Sequence, residues 1–366
     1  MTSQYTQYGT LFSYYSAKTR AYLSYKRIPF VERYDGPELN GRIRHITHKV
    51  MVPVVEAPDG EILQDTTAII DALEPSFLER PVFPTDPLAM LLCRIVEFVV
   101  DELWISTAMN TRWNDPVSKA FVITEFGNGI GGGFGLKGAQ ARAIGEKVAD
   151  RMQSFLPYLG IADQAGRDAA THFFKTTSTQ LNTLLGPGEF ALGERPSFLD
   201  ICLHTAYFAH QYRDLGDAQH FLKSETPRLC YFLDSMHAAH TLPDEGSCEV
   251  SEGLLSYLDL IAPAGAQFAS GIEHGAAEAC ESADPLMPFG AILPPISLDL
   301  LGHAFTRGGS AFSAWKAQRV RDVFDSMSTE NRARVLPVAQ RLGWAEFLNS
   351  PPSYRLERRD FQIWLA

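Results

Sequence analysis

The chain has 366 residues, 45% apolar and 20% charged, with a net charge of −11. That length allows two or three domains at roughly 100–200 residues each, and the ordinary globular composition excludes a disordered, collagenous or coiled-coil chain. An acidic chain is a poor binder of nucleic-acid phosphates, and no run of about 18 apolar residues predicts a membrane span.

The N-terminal stretch MTSQYTQYGTLFSYYS lacks the basic start and apolar run of a signal peptide. Tyr8–Ser13 reads as a strand and residues 16–27 as a helix with Ser16 as a plausible cap. Ile28–Tyr34 reads as a second strand, residues 37–49 as an irregular basic stretch, and Val50–Ala57 as a third strand interrupted by Pro53. Pro58, Asp59 and Gly60 form a turn, because proline presets φ and glycine accepts positive φ. Glu61–Gln64 continues antiparallel, and Asp65 with Thr66 caps a helix carrying Ile69, Ile70 and Leu73 on one side. The order is βαβ followed by ββα.

Residues 75–87 hold four prolines and read as a linker. From Leu88 to about Ala239 the pattern is helical, broken by the glycine-rich loop 127–138, with Ser197 and Asp200 spaced as a capping box. Residues 243–295 read as loops with short helices, 311–327 and 329–342 as amphipathic helices, and the tail SYRLERRDFQIWL as a final strand.

Chemistry concentrates where the first strand meets the first helix. Free N–H groups and the dipole of a helix start favour an anion there, and Ser13, Tyr14, Tyr15 and Ser16 occupy that junction. Pro53 in a strand removes a ladder donor; a cis bond there would turn the N–H and C=O of Val52 outward. Gln64, Asp65 and Thr66 add a carboxylate, a hydroxyl and a second helix start. Ser13 and Ser16 can equally be a strand-end residue and a simple cap.

The pieces LFSYYSAKTRAYLSYKRIPF, MVPVV and QDTTAIIDALE, followed by a linker, helices and the Ser197/Asp200 box, resemble the glutathione S-transferase superfamily over about residues 6–240. The resemblance implies an α+β fold. A thioredoxin-like domain (1–80) precedes an all-helical domain (88–240), and residues 241–366 form an extension packed on the helices. It also implies glutathione as co-substrate, a cis Pro53 and a homodimer with helices 88–113 near the interface.

Carried over residue by residue, the resemblance makes Ser13 and Ser16 the catalytic hydroxyls, standing where thiol-type relatives keep C-x-x-C. Without a thiolate, disulfide exchange is disfavoured. Tyr15, Val52, Pro53, Gln64, Asp65 and Thr66 would hold glutathione. Asp65 replaces the usual serine, so it suits the amino group of the γ-glutamyl end and repels its carboxylate. The basic run 42–49 is a solvated loop or meets the glycine carboxylate.

A second substrate, a small hydrophobic electrophile, would lie against Trp104, Met109, Asn110, Arg112 and Trp113; the alternative is a buried helix. The glycine loop lacks the ending of a phosphate loop and reads as a connection or lid. The histidines show no metal-binding spacing, so no metal is expected. Cys93, Cys202, Cys230, Cys248 and Cys280 form no CxxC pair, which suits a reducing cytoplasm. The expected function is a glutathione transferase acting on an electrophile. The alternatives are a non-catalytic binding module of the same fold, or an enzyme of that fold that does not use glutathione.

Overall fold

A computed structural model describes residues 4–186 and 188–366. Its N-terminal unit is a four-stranded sheet in the order β2-β1-β3-β4, made of β1 (Tyr5–Tyr8), β2 (Phe30–Arg33), β3 (Val54–Glu56) and β4 (Ile62–Gln64). β1 and β2 are parallel, joined through α1 (Tyr14–Tyr25), and the other pairs are antiparallel. The first strand is earlier than expected: it ends at Tyr8, and residues 9–13 form the crossing to α1. The basic stretch expected to be irregular is helical over residues 36–47. α2 (Thr66–Leu73) completes a thioredoxin-like unit.

Tyr8 pairs with Val54, and Val54 pairs with Gln64. One row across the sheet therefore fixes where three segments leave it. The end of β1 toward Ser13, the start of β3 at Val52 and Pro53, and the end of β4 at Asp65 emerge at the same edge. The Val52–Pro53 peptide is cis.

The helical part begins with α3 (Pro87–Phe98), runs through a π-helical stretch, Val99–Trp104, into α4 (Ile105–Trp113), and continues with α5 (Pro116–Phe126), α6 (Gly138–Gln153) and α7 (Gln164–Leu184). α8 (Phe198–Tyr207) starts at the Ser197/Asp200 box: Asp200 accepts from the Ser197 N–H at 2.9 Å and from the Ala191 N–H at 2.7 Å. α9 (Asp217–Glu225) and α10 (Pro227–His237) follow.

Residues 243–295 depart most from expectation. They contain α11 (Glu252–Cys280), a 29-residue helix. Its Ala and Gly content resembles loop composition, but those small residues permit close packing. A Cβ on Gly265 would come within 2.5 Å of Val99, and one on Gly271 within 2.5 Å of Ile296. A hairpin of β5 (Ile292–Leu300) and β6 (His303–Ser310) lies against α11. Then come α12 (Ala311–Asp325), α13 (Thr329–Arg341), α14 (Ala345–Asn349) and a second hairpin, β7 (Leu356–Arg359) with β8 (Gln362–Leu365), where a single strand was expected.

α11, α12 and α13 pack on α3. Leu91, Leu92, Cys93, Ile95 and Val96 of that helix are all buried. The helix face on which the resemblance would seat a partner subunit is thus covered by the chain's own extension. Among the described residues, no helix is long and apolar enough to cross a membrane.

Candidate functional site

Ser13 is the N-cap of α1, with extended backbone, and its Oγ accepts the Ser16 N–H at 3.3 Å. It is only half-buried. Capping uses a lone pair of the hydroxyl and leaves its proton free to donate.

Ser16 does not share the site, contrary to the sequence reading. It is 0% exposed. A Cβ on Gly9 would come within 2.7 Å of its Oγ and within 3.0 Å of Glu32 Oε1, so the hydroxyl is turned back between β1 and β2. Ser16 stands three residues after the N-cap, at N3 of α1, and its packing against Gly9 and Glu32 holds it under the helix. Around it Arg20 forks onto Glu32, with Nη2 donating to Oε1 at 2.7 Å, and also donates to the Thr10 carbonyl at 2.9 Å. These bonds fix the crossing from β1 to α1.

Tyr15 is likewise engaged elsewhere. Its hydroxyl donates to the Asp101 carbonyl at 2.8 Å, and that of Tyr14 to the Val100 carbonyl at 2.9 Å. A π-helical stretch displaces the regular ladder, and here its carbonyls are taken by side chains from outside. Arg307 of β6 takes a third, the Glu102 carbonyl, at 3.0 Å. Burial, and after it the nearby Glu102 and Asp101, push the Tyr15 phenol well above its ordinary value, so it stays neutral.

The residues expected around a second-substrate pocket are interior. Trp104 packs on Phe173 and Tyr207, Trp113 on Phe126, and the Trp113 Nε1 donates to the Met109 sulfur at 3.2 Å. Asn110 donates to Thr171 at 3.0 Å. All five, including Arg112, are buried. The aromatic and amide composition that suggested a pocket is that of a helix enclosed on every side. Arg112 still bears on the site. Paired with Asp214, it donates to the Phe12 carbonyl at 2.9 Å and to the Ala209 carbonyl at 2.7 Å, which ties the residue before Ser13 to the helical part.

At the second helix start, one Asp65 oxygen accepts the N–H groups of Thr67 and Ala68 at 3.1 and 3.3 Å. Asp65 holds φ of 78° with ψ of 129°, a positive-φ conformation outside the left-handed helical region and uncommon for any residue but glycine. Gln64 is 4% exposed; its amide N–H donates to the Met51 carbonyl at 3.2 Å, and its Oε1 has no partner among the described residues. Flipping the amide would set oxygen against the Met51 oxygen, so the orientation is fixed by that neighbour. Thr66 opens the helix and is buried.

Two further segments border this corner: the glycine-rich one, read from sequence as a connection or lid, and one that sequence reasoning did not place there. The glycine-rich segment is not a loop but the wound end of α5, and it lies against the crossing: a Cβ on Gly129 would come within 2.7 Å of the Phe12 ring, and one on Gly133 within 2.6 Å of the Tyr34 ring. The second is the C-terminal hairpin. Arg358 of β7 donates to the Gln64 carbonyl at 2.7 Å. Phe361, at the hairpin tip, packs on a cluster built from Tyr8, Leu39, Ile43, Val54 and Ile62, with Val52 beside it. Asp360 and Phe361 both adopt positive φ (49° and 61°). That turn matches the twist of a two-residue hairpin, but a left-handed Phe costs about 1–2 kcal/mol. The half-buried ring, packed on that cluster, contributes against this cost. No sequence signal beyond the alternation of the tail could have located it.

A thioredoxin-like sheet with a cis-proline edge beside a capped helix start defines the architecture. Residues 8–81 match the family model of the glutathione S-transferase N-terminal domain, and this domain belongs to the glutathione S-transferase superfamily. Among solved structures, the chain is similar to the beta-etherase LigF from Sphingobium sp. strain SYK-6, at 20% identity over 66% of this chain and 97% of that one, with a TM-score of 0.45. It is also similar to a glutathione S-transferase of Ceriporiopsis subvermispora in complex with glutathione, at 15% identity over 67% and 100% of the two chains and a TM-score of 0.44. A maleylacetoacetate isomerase from Methylobacterium extorquens AM1 shows 21% identity over 66% and 100%, with a TM-score of 0.37. These are distant likenesses in shape. No protein of curated function matches the chain.

Proposed function

We propose that the chain is a cytoplasmic glutathione-dependent transferase of serine type, in which Ser13 holds the glutathione sulfur as thiolate for attack on an electrophile. The carrying observation is the half-exposed Ser13 hydroxyl at the start of α1, its proton uncommitted, on the sheet edge shared with cis-Pro53 and Asp65.

A free thiol has a pKa of about 8.5 and is only a few per cent ionised at pH 7. A serine cannot take its proton at that pH, so the proton leaves to solvent. The hydroxyl then donates a hydrogen bond to the remaining anion, beside the positive end of the helix dipole. Lowering the thiol by about two pKa units takes roughly 2.7 kcal/mol, within reach of one charge-assisted bond plus the dipole. Val52 supports the reading, since among the described residues its N–H and C=O have no backbone partner and are available to a peptide ligand. Addition, substitution, isomerisation and ether cleavage all start from this thiolate.

The test is the ultraviolet thiolate absorbance of bound glutathione, titrated against pH. Wild type is expected to ionise the thiol about two pKa units below free glutathione. Ser13→Ala and Ser13→Asp should both abolish the shift, the latter while keeping a capping oxygen and hence the helix. A wild-type protein that fails to retain glutathione, or leaves its thiol titrating as in solution, overturns the proposal.

A further inference from the structure

The C-terminal hairpin brings a cation to a place that already holds an acid. Arg358 is half-buried, and its one protein hydrogen bond is to the Gln64 carbonyl, so most of its five N–H donors are uncommitted. Among the described residues it forms no ion pair. Its bond to the Gln64 carbonyl sets Arg358 beside the residue that precedes Asp65, without an ion pair between the two; burial pulls the guanidinium below its ordinary value, and Asp65 acts in the opposite direction. Lys49 adds a second cation to this corner: its ammonium is lowered by burial and then by Arg358, with Asp65 acting in the opposite direction. Between the turn and Met51 lies the unpartnered, buried Oε1 of Gln64.

The corner therefore holds one anion, two cations and an orphaned acceptor, and among the described residues nothing pairs the surplus cation. A buried polar atom without a partner costs free energy, and a half-buried guanidinium without a carboxylate leaves its strongest bonds unmade. A single molecular fragment satisfies all of them. An α-amino acid end carries an ammonium, which suits Asp65 and Gln64 Oε1, and a carboxylate, which suits the bidentate fork of Arg358.

Resting on the function proposed above, we propose that Arg358, supplied by the C-terminal extension, is the carboxylate-binding residue for the γ-glutamyl end of glutathione, with Asp65 and Gln64 Oε1 receiving its ammonium. This accounts for two departures together. Asp65 alone would repel the γ-glutamyl carboxylate, and the hairpin that carries Arg358 offsets that charge. It also gives the extension a task at the site, and explains why the tip is anchored there by Phe361 despite its left-handed backbone.

The experiment is calorimetric titration of the full chain with three tripeptides: glutathione, its analogue with 4-aminobutyryl in place of γ-glutamyl (no α-carboxylate), and the glutaryl analogue (no α-amino group). Wild type should prefer glutathione over the carboxylate-free analogue by about tenfold to a hundredfold, the range for a hydrogen bond to a charged group. Arg358→Ala should bind both alike, at the weaker affinity, while Arg358→Lys recovers part of the preference. Leu356 and Ile363 still anchor the hairpin in these variants, and a circular-dichroism melt confirms it.

Equal wild-type affinity for glutathione and the carboxylate-free analogue overturns the assignment without needing any variant. An Arg358→Ala protein that binds glutathione as well as wild type overturns it and leaves the transferase reading standing. One that binds more tightly also overturns it, and makes the hairpin an obstruction. No affinity of wild type for any of the three overturns both.

Discussion

Two of the places where the extension touches the rest of the chain handle charge in opposite ways. At the first, α12 sends Lys316 into the interior, where its ammonium lies 2.6 Å from Asp101 and also donates to Thr67. Lys18 bonds Glu97 and Asp101 at 2.8 Å each, Arg94 bonds Glu97 and Asp71 at 2.8 Å each, and Arg319 adds a further contact to Asp71. Four cations meet three carboxylates there, with Glu102 of the same stretch bonded to Ser313 at 2.6 Å. At the second, the hairpin brings Arg358 to a carbonyl and no carboxylate. A compensated buried cluster is complete and belongs to the architecture. An incompletely paired cation at a sheet edge with an orphaned acceptor is complete only with a ligand.

The largest test of that contrast is Lys316→Met. Replacing Lys316 removes one of the two ammonium groups on Asp101 and buries an apolar end among charges, and breaking a buried ion network runs to about 3–5 kcal/mol. Urea denaturation should show a midpoint lowered accordingly, with unchanged slope. Arg358→Ala should move the midpoint far less, because nothing buried loses a charged partner. Equal losses in the two variants would erase the distinction.

Acid sharpens it further. Burial by itself would raise the Glu97 carboxyl, but Lys18, Lys316 and Arg94 together hold it well below the ordinary carboxylate value. A carboxyl depressed in the folded state contributes stability above its unfolded pKa of about 4.3, and that contribution is lost as pH falls toward the folded value. Melting temperature should therefore drop below about pH 4.3 in wild type, and Glu97→Gln should show a shallower acid limb from a lower starting stability. An unchanged acid limb in that variant would show that Glu97 does not carry the effect.

How much of this was written in the sequence follows from which forces were local. The cap at Asp65, the turn at Pro58–Gly60 and the Ser197/Asp200 box are short-range chemistry, and each stands where its residues place it; Pro53 is different, since the third strand was expected over Val50–Ala57 but begins at Val54, after the proline. The inward turn of Ser16 was not legible, because N-cap and N3 serines look alike until Gly9 and Glu32 are packed against one of them. The enclosure of Trp104 and Trp113 was hidden for another reason. A helix covered on all sides has no polar face to betray it, and part of the cover comes from α11, whose small residues resembled a loop. β5 was obscured by Pro294 and Pro295, which interrupt its alternation. Arg358 lies 294 positions from Gln64 in sequence, and no local pattern links the two.

The smallest expected effect on stability is that of Asp65→Asn, and it separates the two roles of this residue. Asparagine keeps a side-chain oxygen for the N–H groups of Thr67 and Ala68 and tolerates positive φ, so the helix start survives. Only the charge near the helix N-terminus is lost, worth about 0.3–1 kcal/mol. If Asp65 receives the γ-glutamyl ammonium, Asp65→Asn weakens glutathione binding while leaving the glutaryl analogue, which has no ammonium, bound as in wild type. Equal weakening of both tripeptides would reduce Asp65 to a helix cap, and would leave Arg358 facing a turn whose charge has no ligand to balance.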